Sequence, residues 1–270
     1  MAAGQAIGII DGHVHIWNRA RFHYHWLAPG SPHDRDYSLD DIRPAMEQSG
    51  VCGGLLIEAT NTEDEIDWLL AAADRETNQS WGVIGWMDME DPGAPARIRR
   101  CARHPRFKGI RLNWLAGHRG PHRLRDSMLA IQASRLTVDL LAAPDFLSSA
   151  ARFTGLYPSV TFVLNHFGGW DLTADVDRWR EIMRPFAAMP NVALKISGYA
   201  SFDSTRVQTY LNAADALFGQ GRLLFGSNYP FCAGGYALAV HTLAAACADR
   251  SPAWRSALFR DTAASIYHIP

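Results

Sequence analysis

The stretch "VCGGLLIEATNTEDEIDWLLAAADRE" (51–76) holds an unbroken apolar run followed by an amphipathic one. Residues 51–59 carry no charge before Glu58, the pattern of a strand buried on both faces. Ile66, Leu69, Leu70 and Ala73 then recur at helical spacing. Thr62, with Glu65 three residues on, predicts a capping box at the start of that helix. The same unit returns along the chain. Apolar runs at 6–11, 81–87, 107–113, 136–142, 160–166, 191–198 and 222–228 predict seven further strands, and amphipathic segments follow most of them. A last helix is predicted over 252–267. Eight such units predict an α/β chain closed into a (β/α)₈ TIM barrel, one domain over residues 1–270. The longest irregular segment, 17–40, is rich in His, Pro and aromatic residues. It reads as the first βα loop, folded over the barrel mouth.

Composition narrows the functional class. The chain has 270 residues, 48% hydrophobic and 20% charged, with a formal net charge of -1, which excludes a disordered polyelectrolyte. Balanced charge argues against nucleic acid as a partner. No apolar run approaches the roughly 18 residues of a membrane span. The opening "MAAGQAIGIID" has no basic segment or cleavage site, so no secretory leader is expected. The cysteines, Cys52, Cys101, Cys232 and Cys247, are scattered and form no CxxC pair, so no disulfide framework is expected. The expectation is a cytoplasmic protein acting on a small molecule. Helical faces of a barrel look alike whether they meet solvent or a neighbour, so oligomeric state stays open.

Sites on such barrels lie at the carboxyl ends of the strands. The first strand leads into His13 and His15, two residues apart, so an extended backbone points both imidazoles to one side. Neutral imidazole is the commonest ligand of zinc and similar ions; two loop histidines without function would look the same. The sixth strand ends in Asn165-His166, adding a third nitrogen donor at the same face. Three such donors would leave one open position for water on a zinc or manganese ion. Strand two delivers Glu58, and strand eight delivers Ser227 and Asn228 before a proline. Strand four delivers Arg111, whose planar fork suits a carboxylate, and strand seven delivers Lys195 among apolar neighbours. Arg111 and Lys195 are read either as substrate-binding groups or as structural ion pairs with Glu58 or Asp139. Tyr24, Trp26, Trp86, Trp114, Trp170 and Tyr229 adjoin strand ends, and Trp26 and Tyr229 are the aromatics expected to touch substrate.

Taken together, "IIDGHVHIW", "RFHYHW", "GVIGWMDMEDP", "HPRFKGIRLN", "FVLNHFGG", "NVALKISG" and "RLLFGSNYP" resemble the amidohydrolase superfamily. The narrower likeness is to its amidohydrolase-2 group of TIM barrels, which contains sugar lactonases and the lactonase acting on 2-pyrone-4,6-dicarboxylate. The resemblance implies that His13, His15 and His166 surround the reaction centre. It also implies an aspartate at position 228, as base or ligand, and commonly one at 165; both are asparagine here. An amide takes up no proton at neutral pH, so the base would pass to Glu58 or a histidine. No lysine stands at the end of strand four to carry a carbamate, since Lys108 comes too early, so at most one metal ion is expected, with partial or absent occupancy. The expected activity is hydrolysis of a lactone or related cyclic ester of a small anionic or polyhydroxylated substrate. Metal-dependent decarboxylation of an aromatic or muconate-type acid is the first alternative. A catalytically silent, ligand-binding barrel is the second.

Overall fold

The computed structural model describes residues 8–114, 121–199 and 201–270. Its parallel strands are β1 (Ile9–Val14), β2 (Val51–Ile57), β3 (Ser80–Gly85) and β4 (Phe107–Trp114). They continue with β5 (Thr137–Ala142), β6 (Phe162–Leu164), β7 (Val192–Ile196) and β8 (Leu223–Phe225). Each pairs with the next in sequence order, giving one eight-stranded sheet curled into the expected barrel.

Closure is the weakest part of the sheet. β1 and β8 meet mainly beyond the end of β8, where Val14 bridges Tyr229. There Asn228 N–H donates to His13 O (2.9 Å) and His15 N–H donates to Tyr229 O (2.8 Å). The fully buried Asp11 spans the seam, accepting from the N–H groups of His13 and Ser227 and from the Tyr236 hydroxyl, all at 2.9 Å. A Cβ at Gly226 would lie 2.8 Å from the His13 Cβ, so glycine lets β8 pass beside the histidine.

Apolar side chains fill two regions. The larger lies between strands and helices. The smaller lies inside the barrel, where Ile10, Leu55, Ile57, Ile84, Val163 and Leu224 meet Tyr267 and Ile269. The predicted last helix is broken by a π-helical turn at Ala257–Asp261, and its final piece, Thr262–Tyr267, helps plug the amino-terminal end.

Three local expectations are corrected. β1 runs to Val14 rather than ending at 11, so His13 lies within the strand; positions 6 and 7 of the predicted run are outside the described residues. The first unit has its own helix, Leu39–Gln48, begun by Ser38, whose N–H and hydroxyl both meet Asp41 Oδ2 at 2.7 Å. The capping box at Thr62 does not form: the helix starts at Asp64, and Glu65 turns inward. Its Oε2 accepts from Ala59 N–H (2.9 Å) and Thr60 N–H (3.3 Å), tying down the loop after β2. The four cysteines are unpaired. Among the described residues no helix is long and apolar enough to cross a membrane.

Candidate active site

Period-two alternation decides what reaches the barrel axis. On β7 it puts Lys195 on the inward face shared with Ala193, and on β6 it puts Asn165 in line with Val163. His13 and His15 keep the two-residue spacing between them, but an irregularity between Asp11 and Val14 resets the alternation from Ile10, and their Nε2 atoms are 3.0 Å apart. The His166 ring sits with its centroid 4.5 Å from that of His13, and its Nδ1 is 2.7 Å from Ser197 Oγ. The three histidines therefore meet at one end of the barrel.

Two site residues hold unusual backbone. His166 has φ 53° and Asn228 has φ 59°, both in the left-handed region. Asparagine tolerates that region better than most residues, histidine less so. Such local cost, of order 1–3 kcal/mol each, tends to collect where side chains must be aimed. Both residues line a cavity of about 300 Å³ at the carboxyl ends of the strands. Its polar wall is His15, Glu58, Arg111, His166 and Asn228; its apolar wall is Trp26, Ala59, Leu141 and Phe231.

The electrostatics follow from burial. Burial drives the imidazoles of His13 and His166 well below the ordinary histidine range and brings His15 down to about 3; nearby cations, and for His13 and His166 a neighbouring imidazole, push the same way. All three are neutral at physiological pH. Glu58 is pushed up by burial and pulled back by the Arg111 charge, with Arg111 Nη1 at 3.4 Å and Asn113 Nδ2 at 3.3 Å from its Oε1. Glu58 and Arg111 offset each other, so the polar wall is close to neutral overall.

Lys195 is placed differently from a substrate-binding group. It is 0% exposed, beneath the cavity, with Nζ 2.5 Å from Asp139 Oδ2 and 3.4 Å from His13 Nδ1. Both ion-pair alternatives are thus present, Arg111 with Glu58 and Lys195 with Asp139. Asn165 shows why position 165 is an amide here. Its Nδ2 donates to Asp139 Oδ2 (3.0 Å) and Val163 O (3.2 Å), whereas an aspartate would set a second carboxylate against Asp139.

Of the aromatics expected at the mouth, Trp26 lines the cavity, its Nε1 donating to Ala59 O at 2.6 Å. Tyr229 is buried beside Tyr37 and Tyr236, off the cavity wall. Tyr24, Trp86, Trp114 and Trp170 do not line it either. Sequence reasoning missed Phe231, 39% exposed and edge-on to both His15 and Trp26. Its one sequence signal was its place three residues past Asn228. Lys108 lies at the opposite end of the barrel, bonded to His268 O (3.0 Å).

Comparison with known proteins agrees with this fold. The Amidohydrolase family model matches residues 10–269. The chain belongs to this amidohydrolase family and is a hydrolase. An L-fucono-1,5-lactonase of Burkholderia ambifaria is 32% identical over 82% of this chain and 80% of its own length. Another, from Burkholderia multivorans, is 28% identical over 97% of this chain and 96% of its own. A crystal structure of an amidohydrolase from Burkholderia multivorans with bound zinc superposes with a TM-score of 0.87 at 28% identity, covering 97% of this chain and 100% of that one.

Proposed function

We propose that this enzyme opens a small polyhydroxylated lactone by hydrolysis. The observation that carries this is the convergence of Glu58, Arg111, His15, His166 and Asn228 on one cavity whose described wall is near charge balance. A dianionic substrate would need cations not already offset by the protein. A neutral ring with hydroxyls on its edge and C–H groups on its face suits a polar wall opposite Trp26 and Phe231.

Glu58 acts as base. Burial raises its proton affinity toward the working pH, whereas the histidines are too weakly basic to compete. It takes a proton from water as the water oxygen bonds to the lactone carbonyl carbon. Arg111 faces the developing oxyanion, and His166 and Asn228 hydrogen-bond water and ring hydroxyls. Breaking the ring C–O bond releases an alkoxide, which recovers the proton from Glu58. The product is a hydroxy acid. Lys195 and Tyr229 support the histidines and the seam from behind.

The donor set fits the expected zinc or manganese ion at His13, His15 and His166 poorly. His13 and His15 turn their Nε2 atoms on each other at 3.0 Å, and among the described residues no three His, Cys, Asp or Glu side chains are placed to hold one ion. Any such ion would be a weak, partial occupant, and no step above uses it. A cytoplasmic place of action completes the proposal, supported by four unpaired cysteines.

The test is ring opening of a panel of neutral sugar lactones and of 2-pyrone-4,6-dicarboxylate, followed by acid release with and without chelator. Turnover of neutral lactones is expected. No opening of any lactone, with or without added zinc or manganese, would remove the proposal.

A further inference from the structure

A directed chain of hydrogen bonds runs through the barrel from Asp139 to β2. Asp139 accepts from Tyr267 OH (2.7 Å) at Oδ1 and from Asn165 Nδ2 (3.0 Å) and Lys195 Nζ (2.5 Å) at Oδ2. Three donors on two oxygens mark it as the carboxylate, and its partner as the ammonium. An ammonium only donates, so at 3.4 Å His13 Nδ1 must accept, and the His13 proton lies on Nε2. At the far end His15 Nδ1 is 3.0 Å from Ile57 O, and a carbonyl only accepts. The His15 proton therefore lies on Nδ1, leaving its Nε2 bare. The gap between the two Nε2 atoms is 3.0 Å, and these end conditions supply the one proton it needs. Every group is satisfied in one direction, from Lys195 to His13 to His15 to Ile57.

We infer that Lys195 is a positioning residue: a resident cation that fixes the tautomers of His13 and His15 and holds a divalent ion off the pair. A metal ion needs a lone pair from each Nε2. His13 could offer one only by moving its proton to Nδ1, directly against the Lys195 ammonium, and the incoming charge would meet a buried cation beneath the ring. The same arrangement engages the His15 lone pair, leaving Glu58 to take the proton from water. None of this depends on the identity of the substrate, because the tests read protons and zinc rather than turnover.

The first test is long-range ¹H–¹⁵N correlation on metal-free protein labelled at histidine, with His13→Gln and His15→Gln used for assignment. His13 should show its proton on Nε2 and His15 on Nδ1; a His13 proton on Nδ1 overturns the inference. The second is zinc affinity by chelator competition in the wild type, in Lys195→Met and in Asp139→Asn/Lys195→Met. The double variant removes both charges, in case the single one strands Asp139 and fails to fold. Affinity should rise roughly 10- to 100-fold, the usual size of effects from groups behind metal ligands, and the rise should vanish when His13→Gln is added. Unchanged or weaker zinc binding in the folded variants overturns it. If neither variant folds, the tautomers of the wild type still decide.

Discussion

Removing the Asp11 side chain tests how the barrel is closed. Asp11→Ala leaves the N–H groups of His13 and Ser227 and the Tyr236 hydroxyl buried without their acceptor. A buried donor left unpaired costs about 1–3 kcal/mol. Three of them, less the penalty relieved by removing a buried carboxylate, give a net loss of about 4 kcal/mol. Asp11→Asn should lose only about 1 kcal/mol, since its amide oxygen can serve both N–H groups while the Tyr236 hydroxyl turns to accept. The assay is urea unfolding followed by tryptophan fluorescence, comparing midpoints at equal slope. The pH dependence has a definite sign. Burial raises the Asp11 carboxyl above its ordinary value, so the folded protein binds its proton more tightly than the unfolded chain. Wild-type stability from this group is fully present below the unfolded value and declines as pH rises through the raised one. The asparagine variant lacks that decline, so its deficit should shrink with rising pH. An alanine variant within about 1 kcal/mol of wild type would refute this account of closure. An asparagine variant as damaged as alanine would show that charge, not acceptor count, holds the seam.

Glu58→Gln should cut kcat by roughly 10²- to 10⁴-fold and remove a rising limb of activity at the raised carboxyl value, measured as kcat/KM against pH on the best lactone. A limb near the ordinary histidine pKa that survives in this variant would point to an imidazole base instead. His166→Asn, chosen because asparagine accepts the left-handed backbone, should lose about 100-fold or more in kcat with an unfolding midpoint close to wild type; retained activity would make the ring structural. Phe231→Ala should raise KM about tenfold with kcat nearly unchanged, the signature of lost ground-state and transition-state binding alike; an equal fall in kcat would contradict a purely binding role. Asn228→Asp should tighten zinc binding, read by chelator competition, but by less than Lys195→Met; the reverse order would make the missing carboxylate, rather than the buried cation, the main obstacle to metal.

The barrel was legible because parallel strands buried on both faces cannot hide: runs such as "VCGGLLI" and "FVL" are apolar whichever face is counted. His13, His15 and His166 were legible because a polar residue at the end of such a run has only the barrel mouth to face. Phe231 was not, because an aromatic past a proline looks the same whether it packs or lines a cavity. Glu65 misled because a glutamate three residues after a threonine suits a capping box, while its actual partners, Ala59 and Thr60, are loop amides whose position only the fold provides. The two asparagines divide along the same line. Asn165 departs from the family's usual aspartate because Asp139 and Val163 O leave room only for a donor, a constraint set by β5 and invisible in the local motif. Among the described residues Asn228 has no such side-chain partner; its backbone sits at φ 59° and it lines the cavity. One amide is therefore explained by what lies behind the histidines, and the other lines the cavity. The inferred role of the ammonium beneath His13 would link the two: with a metal ion kept off the pair, position 228 would have no ion's charge to balance, and an amide that both donates and accepts would suit a hydroxyl.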